Sequence, residues 1–188
     1  MHTIEPYFGW RDYYRAEKDK RSPFFRREYH EFDFTHAIYN YVIHPQWDDI
    51  GSDTLYIKIL FADYAEGYAI IEMLGEWNDC IGNDIMFLKR DILDCMITEG
   101  INKYIVIAEN VLNFHFDMDD YYIELSEDIE EGWICLINLQ DHVYDEFCRH
   151  SLNIYLTMGE SYNNLTWRNS TPLSLYSEVE SKMKYLID

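Results

Sequence analysis

The stretch "DIMFLKRDILDCMITEGINKYIVIAENV", Asp84 to Val111, decides how the rest of the chain is read. In its first half Ile85, Leu88, Ile92, Cys95 and Met96 recur at helical spacing, and Gly100 stands where helices take a left-handed closing residue. "KYIVIAENV" follows at once as a buried strand, so helix and strand are joined by a connection of a few residues. Upstream, "LYIKILFADY", a short "AEG" turn and "YAIIEMLGEW" form two β-rich runs close enough for an antiparallel hairpin. Downstream come "DDYYIELSEDIEEG" as an acidic amphipathic helix, "WICLINL" as another buried strand, and "HVYDEFCRH" as a helix for which Asp141 is the expected cap. "LNIYLTMG" reads as a last strand or an extended tail. "TPLSLYSEVESKMKYLID" reads as a terminal helix, with Thr171 as cap, Pro172 in its first turn, and Leu175, Val179, Met183 and Leu186 on one face. Strands and helices alternate after an opening hairpin, which predicts an α/β fold with a mixed β-sheet.

Composition agrees with a folded chain and restricts its partners. Apolar residues make up 48 % of 188 residues, with 17 Tyr and 10 Phe, far from a disordered composition. The net charge of -20 comes from 35 acidic against 15 basic side chains, and disfavours nucleic acid and anionic membrane surfaces. The charge is uneven: residues 1 to 27 carry seven basic groups against four acidic ones, and no Lys or Arg falls between Lys103 and Arg149. Cys80, Cys95, Cys135 and Cys148 show no paired spacing for zinc and read as reduced thiols. The N-terminal residues lack the apolar core of a secretory signal, and no segment approaches the ~20 apolar residues needed to span a bilayer. A cytoplasmic location is the expectation.

Residues 1 to about 35 are charged, aromatic and aperiodic, broken by Pro6, Gly9 and Pro23, and read as a basic arm. "HAIYNYVI" after it has strand-like bulk and is expected to add an edge strand. The expected division is therefore 1–53, arm and extra strand; 54–160, α/β domain; and 161–188, C-terminal helix. The arm is expected either to fold over the acidic half of the chain or to reach a second subunit. Its "FGWRDYYR" and "PFFRREY" also have the aromatic and cationic mixture that binds single strands, but the strongly acidic remainder opposes this.

The order hairpin, helix, strand, helix, strand, helix over residues 54 to 160 resembles the STAS family, which includes bacterial anti-sigma-factor antagonists of the SpoIIAA type. "YAIIEMLGEWND" is similar to its second-strand motif, "DILDCMITEGINKYIVIAENVLNF" to its helix, strand and following loop, and "ICLINLQDHVYDEFCRHSLNIYLTMGE" to its last core strand and helix. The resemblance implies a STAS-like mixed sheet with an N-terminal extension and an extra C-terminal helix, and a regulatory, non-catalytic role in protein interaction. Many family members place a phosphorylatable Ser where this chain has "NFHFDMDD", so the phosphate switch that the family uses there is missing.

The carboxyl ends of parallel strands are the usual place for a site in such sheets. Three loops there are expected to present Glu76, Asn78 and Asp79; then Glu109, Asn110, Asn113, His115, Asp117, Asp119 and Asp120; and lastly Asp141 and His142. The preferred reading makes the first two sets an acidic surface for a protein partner or for self-association. The alternative makes Asp79, Glu109, His115, Asp141 and His142 the site of a small enzyme or a ligand- or metal-binding protein, with imidazole as general base. Against it, Asn110, Asn113 and Asp141 also suit turns and caps, and no catalytic spacing is present. "DMDDYYIELSEDIEE" has alternate Asp residues but lacks the sixth-position Gly and the oxygen ligands of a calcium loop, so it reads as a solvated helix face. No cofactor motif is found and none is expected. A third possibility is an obligate homo-oligomer that buries Tyr and Trp between subunits.

Overall fold

The structure is a computed structural model that describes residues 2–184. Its centre is a five-stranded mixed sheet in the order β4 (Asp48–Asp49), β5 (Leu55–Asp63), β6 (Tyr68–Asn78), β7 (Lys103–His115), β8 (Trp133–Ile137). β4, β5 and β6 pair antiparallel, whereas β6, β7 and β8 run parallel, as the hairpin followed by helical crossovers requires. The hairpin turn is set by Asp63, whose Oδ1 accepts the N–H groups of Ala65 and Glu66, and by Gly67 at φ +70.

The crossover from β6 to β7 is one continuous helix made of α1 (Asp84–Phe87), a π-helical stretch (Leu88–Leu93) and α2 (Asp94–Thr98). Asp94 N–H bonds Lys89 O, five residues back, and this wider turn shifts the buried face. Ile85, Leu88, Ile92 and Met96 are buried as their spacing implies, but Leu93 takes an inward place and Cys95 is exposed, contrary to expectation. Gly100, at φ +95, closes the helix: its N–H bonds Ile97 O and that of Ile101 bonds Met96 O. The other crossover and the return are α3 (Asp120–Asp128) and α4 (Asp141–Arg149). Asp141 is the first helical residue of α4 and the flanking position belongs to Gln140, so the expected capping role is corrected.

Period-two alternation sends the strand side chains into two different cores. Leu55, Ile57, Ile71, Met73, Tyr104, Val106, Ile134 and Leu136 meet the helices on one face. Leu60, Tyr68, Ile70, Ile105, Ile107, Cys135 and Ile137 meet Trp10, Tyr162, Trp167 and α5 (Pro172–Lys184) on the other. Thr171 Oγ1 accepts the Ser174 N–H, and Leu175 and Val179 are buried with Met183 against them, as predicted; Leu186 lies outside the described residues. "LNIYLTMG" becomes a 3-10 turn, Leu152–Ile154, followed by one parallel bridge from Thr157 to Cys135.

The N-terminal arm docks on its own chain. Ala16 and Phe24 enter the helix-side core, and Trp10 is 2 % exposed in the opposite one. Among the described residues its cations form no ion pair with the acidic half. Arg27 Nε lies 3.3 Å from Asp48, Arg21 covers the Tyr64 ring at 3.5 Å, and Arg11 bonds Gln46. The inner acids of α3 are met instead by Lys89, whose side chain is buried and whose Nζ lies 2.8 Å from Asp94, 2.5 Å from Asp128 and 3.4 Å from Glu124.

"HAIYNYVI" does not extend the main sheet. It forms β2 (Ala37–Ile38) and β3 (Tyr41–Ile43), which pair with β1 (His2–Ile4) in a separate sheet packed through Ile38 and Ile43 on Tyr56 and Leu74. The added edge strand is β4. Close approach at this junction requires Gly75, at φ +122, where a Cβ would stand 2.0 Å from Thr54 O. Among the described residues no helix is long and apolar enough to cross a membrane.

Candidate functional site

β7 is 13 residues long, so the second expected loop is mostly strand: Glu109, Asn110, Asn113 and His115 all lie within it. The reason is pairing. β6 continues alongside β7 to the Asn78–His115 pair, well past the last β8 partner at Ile137. The outer edge left open is filled by side chains of the α4 entry: Gln140 Nε2 donates to Glu109 O and Val111 O, and His142 Nε2 donates to Leu112 O at 2.8 Å. His142 is thus committed to a backbone carbonyl.

Beyond the strands, the loops that follow β6 and β7 touch. Asp79 N–H bonds His115 O at 2.9 Å, and the exposed Cys80 thiol donates to Phe116 O at 2.8 Å. The Asp79 side chain turns inward, accepting from Tyr122 Oη at 2.7 Å, Ile85 N at 2.9 Å and Trp77 Nε1 at 3.1 Å. Burial pushes its pKa up to about 6 against the three donors, with the Asp84 charge adding to the rise. Asp84, also buried, accepts Asn78 N–H at 2.7 Å, while Asn78 Oδ1 accepts Ile81 N–H at 3.0 Å. These bonds hold a rigid platform from which Ile81 projects 89 % exposed.

On the neighbouring loop Met118 is 50 % exposed between Asp117 and Asp119. Asp119 accepts from Tyr155 Oη at 3.2 Å, whereas Asp117 and Asp120 are exposed and carry no ion pair among the described residues. An open cleft of about 420 Å³, bordered by Asp79, Asn83, Arg90, Met118 and Tyr121, separates this loop from the α1 entry. Asp117 and Asp120 border this cleft, and so does Asp79, although it is 3 % exposed with its carboxylate turned inward.

The other candidates gather elsewhere. His115 Nε2 lies 2.7 Å from Glu76 Oε1, Tyr39 Oη donates to Glu76 Oε2 at 2.8 Å, and Asn113 Nδ2 donates to Tyr39 Oη at 3.0 Å. Glu109 faces the second core, paired with Arg168 and accepting from Trp167 Nε1 at 3.2 Å. Burial works to raise the Glu109 pKa, but these partners hold it below the ordinary value. Asp141 is exposed and shares with Glu109 a separate open cleft of about 300 Å³ lined by Asn138, Gln140, Asn163 and Asn164. The five residues of the enzyme or ligand alternative therefore lie in different settings: Asp79 inward, His115 on Glu76, His142 on Leu112 O, Glu109 and Asp141 on the amide-lined cleft. Among the described residues no group of three or more His, Cys, Asp or Glu is placed to hold a metal ion.

Four further residues are not marked as functional by the sequence: Ile81, Met118 and the pair Glu72 and Arg168. Glu72 is fully buried in β6, with Oε2 accepting Tyr7 N–H at 2.8 Å and Oε1 3.7 Å from Arg168 Nη2. An acid inside the apolar run "YAIIEML" is the available signal for it; Arg168, in an irregular segment, has none.

No protein-family model matches the chain, and no curated protein matches it. Solved structures do. The anti-sigma factor antagonist SpoIIAA in its unphosphorylated form is similar over 66 % of this chain and 96 % of its own, with 11 % identity and a TM-score of 0.44. A Thermotoga maritima protein assigned as an anti-sigma factor antagonist is similar over 66 % of this chain and 92 % of its own, with 13 % identity and a TM-score of 0.43. The phosphorylated form of the Bacillus cell fate determinant SpoIIAA is similar over 55 % and 91 %, with 9 % identity and a TM-score of 0.37.

Proposed function

We propose that this chain is a non-catalytic, regulatory protein-interaction module that presents the paired loops after β6 and β7 to a basic protein partner. The observation that carries this reading is the exposure of Ile81 and Met118 on adjoining loops beside Asp117 and Asp120, which have no cationic partner among the described residues. An apolar centre with a charged surround is the anatomy of a specific interface. The surround steers a cationic partner, and the apolar residues retain it once docked. The platform beneath is fixed by buried Asp79 and Asp84, so little ordering entropy is lost on binding. Residues 116–120 contain no Ser or Thr, so regulation here works through occupancy of the surface rather than through phosphorylation of that loop. This is the role that the STAS resemblance implies, without its switch.

Affinity capture from native extract at low and high salt tests the reading, with wild type beside Asp117→Lys/Asp120→Lys and beside Ile81→Ser. The expected result is a protein retained at low salt, weakened by either change and released by salt from wild type. Equal retention by all three chains would remove these loops from the interface. Recovery of the chain alone would make a second copy the partner.

A further inference from the structure

A second feature, independent of the paired loops, lies between the N-terminal arm and the small sheet. We propose that the cleft under Tyr29, His36, Trp47 and Tyr56 receives an arginine side chain supplied by another protein. Its volume is about 340 Å³, near the lower end of the roughly 300 to 1,000 Å³ of ligand pockets, which suits one long side chain and excludes a folded element.

The chemistry of the walls selects the ligand. Tyr29 Oη donates to Asp48 at 2.6 Å and Trp47 Nε1 donates to Ile4 O at 2.9 Å, so both polar tips are bound within the protein. Trp47 and Tyr56 are 4 % and 3 % exposed and form the floor, so the ring surface open to a ligand is that of half-buried Tyr29 and exposed His36. Planar, weakly hydrated guanidinium groups stack on such surfaces. The same region already packs its own cations in this way: Lys58 Nζ lies 3.7 Å from the Tyr29 ring centre and the Arg11 guanidinium 4.0 Å from that of Phe8.

The charges point the same way. Glu28, Asp33 and Asp49 border the cleft against one cation, Arg27, which leaves a net charge of -2 on its lining. Arg27 is engaged with Asp48 and with Asp49 O at 3.0 Å. Burial first, and then the Asp49 and Asp53 charges, push the Tyr56 hydroxyl up to about 12, so it stays neutral beside the cleft at neutral pH. Burial holds the His44 pKa below its ordinary value, and its Nδ1 accepts Gln46 N–H at 3.2 Å, so it adds no positive charge at neutral pH. Phe34, 45 % exposed, packs edge-on against His44 of the lining at 5.6 Å between ring centres, and so offers apolar surface beside the cleft for the aliphatic stem. A carboxylate beside a ring face favours arginine over lysine, whose compact ammonium cannot use the planar fork.

The test is an amide NMR titration of the full chain with N-acetyl-arginine methylamide, its uncharged citrulline analogue, and free arginine, at fixed ionic strength. The capped arginine is expected to give saturable shifts confined to residues 28–36 and 43–49, with citrulline binding at least roughly tenfold more weakly. Asp33→Asn should weaken the arginine probe by roughly threefold without changing the melting curve, because that side chain is 72 % exposed. Asp117→Lys/Asp120→Lys should leave it unchanged, which separates this site from the paired loops. Equal binding of citrulline, shifts centred on residues 117–124, or no saturation would each overturn the proposal. Free arginine binding tenfold more tightly than the capped probe would replace the protein side chain with a free amino acid.

Discussion

Glu72→Gln should make the protein more stable at pH 8 and leave it almost unchanged at pH 5. The carboxyl is fully buried between Tyr7 and Arg168, and burial pushes its pKa up from 4.5 to about 7, against the Tyr7 N–H bond and the Arg168 charge, with Glu109 adding to the rise. A group whose folded pKa lies above its unfolded one holds more protons in the native state. Stability is then complete below about pH 4.5 and falls as pH rises to about 7. Each tenfold change in proton affinity is worth about 1.4 kcal/mol, so this difference corresponds to roughly 3 kcal/mol at pH 8. Gln keeps an acceptor for the Tyr7 N–H and removes the buried charge, while Arg168 retains Glu109. An increase of roughly 2 to 3 kcal/mol at pH 8, or about 5 to 10 °C in Tm for a chain of this size, is expected. Urea denaturation of both proteins at pH 5, 6, 7 and 8 measures it. The difference between them isolates Glu72 from Asp79, which contributes a slope of the same sign in both. A constant difference across this range, or a less stable variant at pH 8, would refute the reasoning.

Lys89→Met keeps the buried stem but leaves Asp94, Glu124 and Asp128 without their shared cation; a loss of roughly 2 to 3 kcal/mol is expected in urea. Because its partners raise the Lys89 pKa above 10.5 despite burial, that loss should be constant from pH 6 to 9 and shrink only above the ordinary lysine range. Asp79→Ala strands the Tyr122 hydroxyl, the Trp77 indole N–H and the Ile85 N–H in the core, for a loss of roughly 3 to 4 kcal/mol read from chemical denaturation. Deleting residues 1–27 uncovers the sheet beneath Trp10 and should lower the Tm and increase binding of a hydrophobic dye; an unchanged melting curve would contradict docking of the arm.

The hairpin, the crossover helices and the buried strands were legible because their signals are local: turn residues, periodicity and a closing glycine. The far half of β7 was not. "ENVLNFH" carries Asn residues that suit turns, yet Asn110 pairs with Leu74 and Asn113 with Glu76, because β6 supplies a long parallel partner. The arm was legible as basic and aromatic, but aperiodic spacing gave no sign that Trp10, Ala16 and Phe24 are buried. Asp79 reads in the sequence as a surface acid, yet the residue is 3 % exposed. Only contacts distant in sequence, such as Tyr122 on α3, turn it inward. Exposure of Ile81 was similarly invisible, since composition reports that a residue is apolar and not that the platform beneath is already full.

The second core also imposes an order on assembly. Trp10 Nε1 donates to Ser170 O and Tyr7 Oη to Arg168 O, contacts that span 160 and 161 residues of sequence. During synthesis every strand of the central sheet emerges before the segment that covers Tyr68, Ile70, Ile105 and Ile107 exists. The helix-side core can close on the nascent chain while the opposite face has only the arm around Trp10 to cover it, and such transiently open apolar surface is where chains associate wrongly. Chaperone dependence should therefore fall late, as residues 162–179 emerge, and slowing translation just before that point should lower the soluble yield more than slowing it anywhere earlier.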